Sequence, residues 1–451
     1  MTKHHRSIES QNDPQMKHSS IYQIFCIALA IICCCCGFGA SVIAQEKLTP
    51  EEVAALADSA RQLRKEYRDK KTWEHLVSLP GTIVSLPLVI VAKTTETVAG
   101  FIYEEKLIPR TIEFFTSADG RRGITPKYSN RSGAGAKIYQ SGILSENDQL
   151  SLTASGDFSK RQRYRIEWKR IQPGNAPLLL NFRAQYRNLP EEDFYGIGPH
   201  TRYSDELEFD FEYTAVEGGI QYLMNERLSV GFLGRFDHSN VYPEDQDGDE
   251  VLITDLYDRN SLPGLQTKVR TMQYQAELNW DSRNRLGNPS SGQEALFSAA
   301  IFRDVDNGPF NFRKYRADVS QYIHLGANRV IRLRLAGEMT EPESGSDRAP
   351  FYNLSELGEQ ESIRGFERGR FRDFDSFLAS LEYRVPIWRR MDIFAFADAG
   401  QVDNDILSDL NTKKMQFGFG GGVRLFSEKD LVAVGQIGIS KETFRVYFEL
   451  Y

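Results

Sequence analysis

The sequence predicts an all-β fold: a transmembrane antiparallel β-barrel of about sixteen strands, preceded by a short helical amino-terminal segment. Three observations predict it. From about Gly123 to Tyr451 apolar and polar residues alternate with period two, the pattern of strands that are dry on one face and wet on the other. The connections are unequal, with short ones such as Asn225-Glu226-Arg227 set against long polar ones such as Val241 to Gln266 and Pro342 to Asp375. Tight turns at one end and long loops at the other suit an outer-membrane barrel, whereas a large soluble β-protein has more even loops. The third observation is an export signal at the amino terminus.

That signal is an apolar stretch from about Ile24 to Ala44. It follows Lys3, Arg6 and Lys17 and ends in Val42-Ile43-Ala44, the small-residue pattern a signal peptidase reads. Residues 1–44 are expected to be a Sec-type signal peptide; the stretch is also about long enough for a retained single-span anchor. All five cysteines, Cys26 and Cys33 to Cys36, lie inside it. Cleavage before Gln45 therefore leaves no disulfide and no thiolate for catalysis or metal binding. Residues 45–120 form the second unit, a helical periplasmic or plug segment. Thr49, Pro50, Glu51 and Glu52 suit a helix start, and Val53, Leu56, Ala60, Leu63 and Tyr67 follow at helical spacing. Thr82 to Phe101 is more apolar and reads as a second helix or a plug, with Pro87 inside it.

The third unit, residues 121–451, is the barrel. Met272, Tyr274, Ala276, Leu278 and Trp280 alternate against Gln273, Gln275, Glu277, Asn279 and Asp281. Leu207, Phe209, Phe211, Tyr213 and Ala215 alternate in the same way with Glu206, Glu208, Asp210, Glu212 and Thr214, a face for lipid or for a dry core. Leu228 to Phe236, Ile331 to Gly337, Phe377 to Val385 and Phe417 to Leu425 are further runs. Phe444, Val446, Phe448 and Leu450 make a final strand, and Phe448 with the terminal Tyr451 suits recognition by an outer-membrane assembly machine. Tyr186, Tyr213, Phe236 and Trp280 are expected in the interfacial girdles.

Composition excludes other classes. Mean hydropathy of −0.44 cannot supply a bundle of membrane helices, each needing roughly 20 apolar residues. Aromatics at 12% argue against disorder. A net charge of −7 with no basic run argues against nucleic acid as a partner. His75, His200, His238 and His324 lack metal-ligand spacing, and no G-x-S-x-G elbow is present, so no metal, cofactor or enzymatic role is expected. The acidic run Glu244 to Glu250 has its glycine misplaced for an EF-hand and reads as a solvated loop. Gly418-Phe419-Gly420-Gly421-Gly422 lies in an alternating strand, where glycines let the wall bend or accept a close loop.

One constellation carries chemistry. In the second long loop, Glu361-Ser362-Ile363-Arg364-Gly365-Phe366 precedes Gly369-Arg370-Phe371. An Arg-Gly-aromatic turn sets a guanidinium at a tip whose glycine permits close backbone approach. A guanidinium folded into a barrel needs carboxylates, and Glu382 and Asp398 lie on the next two strands.

Taken with Tyr195-Gly196-Ile197-Gly198 and the strand-turn motif Asp281-Ser282-Arg283 leading to Asn288-Pro289 and Gly292, this ordered set resembles the outer membrane protein 85 superfamily. The likeness is to the barrel domain of the BamA/TamA-type bacterial surface antigens, over roughly Tyr195 to Tyr451. The resemblance implies a loop-to-barrel lock in which Arg364, Gly365 and Phe366 enter the lumen and Arg364 pairs with Glu382 and Asp398. It also implies a barrel in the outer membrane of a Gram-negative bacterium, among outer-membrane lipids and dependent on the assembly machinery for its own insertion. Unfolded outer-membrane or secreted polypeptides are the implied clients, for insertion or translocation. Relatives that assemble barrels carry periplasmic POTRA modules, whereas residues 45–120 read as helices without the needed strands, so this chain is expected to lack POTRA modules. A gated or passive channel and a surface interaction protein are the competing functions.

Overall fold

Alternation over strands long enough to cross a bilayer folds as a closed antiparallel barrel in the computed structural model, which describes residues 116–451 apart from 118, 131, 244–251, 327, 389 and 427–430. The expected signal peptide, the helical segment up to residue 115 and the acidic run at Glu244 lie outside the described residues.

The wall runs through β1 (Arg122–Ser129), β2 (Gly133–Ser141), β3 (Gln149–Gly156), β4 (Gln162–Ile171), β5 (Leu178–Phe194), β6 (Leu207–Leu223), β7 (Leu228–Pro243) and β8 (Val269–Asp281). It continues through β9 (Gly292–Asp304), β10 (Phe312–Leu325) and β11 (Arg329–Pro342). The short strands β12 (Ser355–Leu357) and β13 (Phe371–Asp373) pair with each other apart from the wall, inside the long loop. β14 (Asp375–Trp388), β15 (Met391–Asp403), β16 (Gln416–Phe426), β17 (Leu431–Ser440) and β18 (Phe444–Leu450) complete the circuit, and β18 returns to β1. Sixteen strands form the wall, as expected, and closure removes the free edges that an open sheet exposes to lipid.

Register sorts the side chains. Ile124, Ile138, Leu152 and Ile166 are cross-strand partners and all exposed, as a lipid-facing row requires. On β8, Tyr274 and Leu278 face outward, while Gln273, Gln275 and Glu277 form a polar ladder along the lumen, joined by side-chain hydrogen bonds of 2.5 and 2.6 Å.

Strand length is uneven, and this shapes the site. β1 and β3 have 8 residues each, β5 and β6 17. About 9 to 11 residues span the membrane, so the upper parts of β5 and β6 stand beyond it. There the meaning of the alternation reverses. Leu207, Phe209 and Ala215 point inward and are buried, while Val216, Ile220 and Tyr222, farther down β6, point outward and are exposed. Phe194, Leu207, Phe209 and Val241 pack with Ile253, Leu262, Leu265 and Phe351 from the long loops into an apolar core above the membrane level. Tyr213 corrects the girdle expectation. It faces inward, is buried, and donates a 2.6 Å hydrogen bond to Asp237, because the β6 face that carries it packs beneath the loops.

Candidate functional site

The loop between β11 and β14 descends into the lumen and sets its tip against β14 to β18. Its apolar residues drive the descent: Ile363 and Phe366 are fully buried and cluster with Leu357, Phe371, Leu378 and Val402. Burying a side chain of the size of Phe366 is worth roughly 1.5–3 kcal/mol.

Arg364 rides on that anchor. Its Nε and Nη2 each donate a 2.7 Å hydrogen bond to Asp398, to Oδ2 and Oδ1, and its backbone N–H adds one of 3.1 Å to Oδ2. Ser380 Oγ donates to the same carboxylate at 2.6 Å, and the guanidinium lies 3.4 Å from the centre of the Phe396 ring. A buried cation held by a forked carboxylate and an aromatic face is compensated.

Glu382 stands 3.6 Å from Arg364 Nη1, an ion pair without a hydrogen bond. Its hydrogen bonds come instead from Arg424, at 2.7 and 2.9 Å. Arg424 is a site residue that the sequence reading passed over. It sits on β16, across β15 from Glu382, and only the barrel register brings the two together.

Glycines make room for the tip. Gly365 has φ +96°, and an added Cβ there would lie 2.7 Å from the Ile439 backbone. The Gly365 N–H donates to Tyr447 Oη at 3.1 Å, and its carbonyl accepts from Ser440 Oγ at 2.9 Å. Opposite it, Gly418 on β16 and Gly438 on β17 face inward, and a Cβ on either would collide with the Arg364–Gly365 backbone.

Beyond the tip, the loop's remaining arginines reach other parts of the wall. Arg368 binds Glu192 on β5 through Nη1 at 2.7 Å, and Arg370, fully buried, binds Glu442 in the β17–β18 turn at 2.7 and 2.9 Å. Burial opposes the charge of Arg368, but the carboxylates of Glu192 and Glu356 outweigh it and raise its pKa above the ordinary arginine value. Tyr195 Oη sits within hydrogen-bond distance of both Glu206 and Glu367, the Gly198 N–H donates to the Arg372 carbonyl at 2.8 Å, and Glu367 pairs with Arg445 on β18. The loop thus ties the tall β5 rim to β18, passing over the short strands β1 to β4. Asp373 lies near the base of the loop, where burial and the Asp403 carboxylate push its carboxyl up to about 6.

The strand-turn motif lies in the β8–β9 connection, at the end of the barrel away from the long loops. Arg283 binds Asp281 through Nε at 2.9 Å and Nη2 at 2.7 Å, and Glu294 through Nη1 at 3.0 Å. Gly292 has φ +100° and abuts the Ser282 carbonyl. The turn reaches across the lumen floor to β14 and β15: Asn288 donates to Asp392 at 3.1 Å, and the Pro289 carbonyl accepts from Arg384.

At the end of the chain, Phe448 faces outward beside Tyr128, ring centres 5.9 Å apart, and the Tyr451 N–H donates to the Val432 carbonyl. Among the described residues β18 meets β1 at two residue pairs, Tyr128 with Leu450 and Ser129 with Glu449. Asn130 extends this seam with its side chain, donating to the Val446 carbonyl at 3.0 Å and accepting from the Phe448 N–H at 2.9 Å. Below the seam Thr116 bridges Gly123, and Ile124 to Lys127 pair with β2 alone among the described residues.

A closed sixteen-strand barrel with a loop locked inside its lumen defines a class of outer-membrane proteins. A family model described as the Omp85 superfamily domain matches residues 143–427, and the chain belongs to the Omp85 superfamily. Among solved structures it is similar to BamA from Haemophilus ducreyi lacking POTRA domains 1–3, at 16% identity and a TM-score of 0.54, over 73% of this chain and 70% of that one. A second similarity is to CdiB from Acinetobacter baumannii, at 13% identity and a TM-score of 0.45, over 72% of this chain and 58% of that one. A search of curated protein sequences finds no significant match.

Proposed function

We propose that this barrel inserts or translocates polypeptides or other envelope components at the outer membrane, without enzymatic chemistry, by opening locally between β1 and β18. In this reading residues 1–44 direct export, residues 45–120 act on the periplasmic side or as a plug, and the Arg364 lock holds the loop against β14 to β18 while the seam works. The observation that supports it is the seam itself. Among the described residues two pairs join β1 to β18, whereas the β6–β7 ladder runs unbroken from Phe209 and Pro243 to Leu223 and Ser229. Parting so short a ladder costs little, and unpaired backbone groups in lipid, each worth several kcal/mol, favour adding another strand to the free β1 edge.

The test is a cysteine pair at Tyr128 and Leu450, which are register partners. Oxidation is expected to stop client insertion in proteoliposomes and reduction to restore it; full activity of the oxidised form overturns the mechanism. One observation favours a gated channel as the second reading: the lumen is occupied by a loop that is held to the wall by ion pairs. Planar-bilayer recording separates the two, since a large steady conductance belongs to a pore.

A further inference from the structure

The chain turns back on itself just before β1. Gly120, at φ +67°, donates its N–H to the Ser117 carbonyl at 2.8 Å, and the Asp119 carboxylate accepts the Arg121 N–H at 3.1 Å. The turn lays Ser117 and Thr116 against the seam side of β1. There the Ser117 N–H donates to the Arg122 carbonyl at 2.8 Å, and Thr116 bridges Gly123 in antiparallel register. Among the described residues this is the first rung of a hairpin, set on the edge that β18 leaves uncovered. Strand geometry defines that edge. Backbone groups point alternately to the two sides of a strand. The Arg121 carbonyl points to β2, where it accepts from the Ser141 N–H at 2.7 Å, and the Arg122 carbonyl points to the seam. Ile124 and Pro126 therefore aim their backbone groups at the seam as well, and among the described residues they pair with β2 alone. Pro126 has no N–H to offer there, a common way to blunt an exposed edge.

Register identifies what fits the edge. The pairing of Tyr128 with Leu450 sets the last residue, Tyr451, opposite Lys127, and the Lys127 ammonium lies 6.0 Å from the Tyr451 ring centre. Residues 124–126 remain. Extending the register of Thr116 with Gly123 sets Phe115 opposite Ile124, Phe114 opposite Thr125 and Glu113 opposite Pro126. This stretch runs antiparallel to β1, as β18 does, and fills the line below Tyr451 without displacing it. Its residue types agree, because aromatic and β-branched residues such as Ile112, Phe114 and Phe115 favour strands. In this register Phe115 also joins the exposed row of Ile124, Ile138, Leu152 and Ile166, which lines an apolar groove of about 640 Å³ beginning at Thr116 and Ser117. We infer that residues 113–115 are an edge guard, a short strand of the chain itself that covers the uncovered part of β1 and must leave before a client strand adds there. The guard's role rests on the lateral-opening reading above; its pairing does not. Tethered by one tight turn, it holds a high effective concentration at the edge, which keeps unlinked strands off a resting barrel. Once β18 has parted, a client strand of membrane-spanning length pairs along all of β1 and outcompetes three residues.

The test is a disulfide that only this register allows, formed in the full chain in proteoliposomes. Phe114 and Thr125 fall at a pair without mutual backbone hydrogen bonds, where Cα atoms approach to about 4.5 Å and cysteines bridge readily. Phe114→Cys/Thr125→Cys is expected to oxidise roughly tenfold faster than Phe115→Cys/Thr125→Cys, whose side chains leave opposite faces of the hairpin. Trypsin cuts after Arg121 and Arg122, so the linked peptides identify the bond by mass. Both variants are checked for folding by heat-modifiable migration. The oxidised 114–125 form is expected to insert clients at less than about a tenth of its reduced rate. Phe115→Pro, which removes the N–H that faces the Ile124 carbonyl, is expected to raise the rate above wild type. Equal oxidation of the two pairs, a disulfide between two copies of the chain, or full insertion by the oxidised 114–125 form overturns the inference. The crosslink is read without client. Insertion by the form locked at Tyr128 and Leu450, with the 114–125 bond still forming, counts against lateral opening alone. Absence of the 114–125 bond, with that lock still blocking insertion, counts against the guard alone.

Discussion

Arg364 and Asp398 meet as a fork, two parallel hydrogen bonds of 2.7 Å between side chains that are almost completely buried. Removing the cation leaves a buried carboxylate with the Ser380 hydroxyl as its remaining side-chain donor, and breaking such a pair costs about 3–5 kcal/mol. Arg364→Ala is expected to lower the temperature at which the folded band is lost on unboiled gels. Arg364→Lys is expected to recover little, because an ammonium cannot reproduce the fork. Wild-type heat-modifiable migration in both variants would remove the lock from the account.

Gly418 tests the close approach of loop and wall. A methyl group on it would enter the space of the Arg364 carbonyl, whereas one on Gly435, the first glycine of β17, would meet only Phe448, at 4.0 Å. Gly418→Ala is expected to displace the loop tip and expose it to protease in intact cells, and Gly435→Ala to leave it protected. Equal protection in the two would show that the tip has slack.

Much of this was legible in the sequence, for a physical reason. Side chains alternate across a strand, so Met272 to Trp280 declared their lipid-facing row without any knowledge of neighbouring strands. Asp398 declared itself as well, a single carboxylate among Ala397, Ala399 and Gly400. What stayed hidden depends on register and height. Arg424 reaches Glu382 across an intervening strand, and Arg370 finds Glu442 72 residues away. The inward turn of Tyr213 follows from the 17-residue height of β6, which lifts its apolar face out of the lipid and under the loops.

Asp373 gives the loop a pH response. Its folded pKa of about 6 lies above the ordinary value of 3.8, so between these values the folded chain holds a proton that the unfolded chain has lost. This contribution to stability is greatest below about pH 4, falls as pH rises through 6, and is flat above. Hydrogen exchange in the β12–β13 pair is expected to be slower at pH 5 than at pH 7.5, after correction for intrinsic rates. Asp373→Asn is expected to remove the difference; a difference that persists in the variant would place the titrating group elsewhere.

Asn130 decides how firmly the seam closes. It follows the last residue of β1, and its side-chain amide grips both the Val446 carbonyl and the Phe448 N–H, supplying two hydrogen bonds where the backbone ladder stops. Each is worth about 0.5–1.5 kcal/mol, so Asn130→Ala weakens a short junction by roughly 1–3 kcal/mol. Tyr128 and Phe448 still touch, and the Arg364 lock, on the far side of β18, is unaffected. The variant is therefore expected to keep its heat-modifiable migration while a spin-label pair across β1 and β18 reports a larger open population. If opening limits the rate, insertion in proteoliposomes rises with it. A seam equally closed in Asn130→Ala and wild type would mean that Tyr128, Ser129 and their two partners suffice to hold the barrel shut, and lateral opening would then need a client to force it.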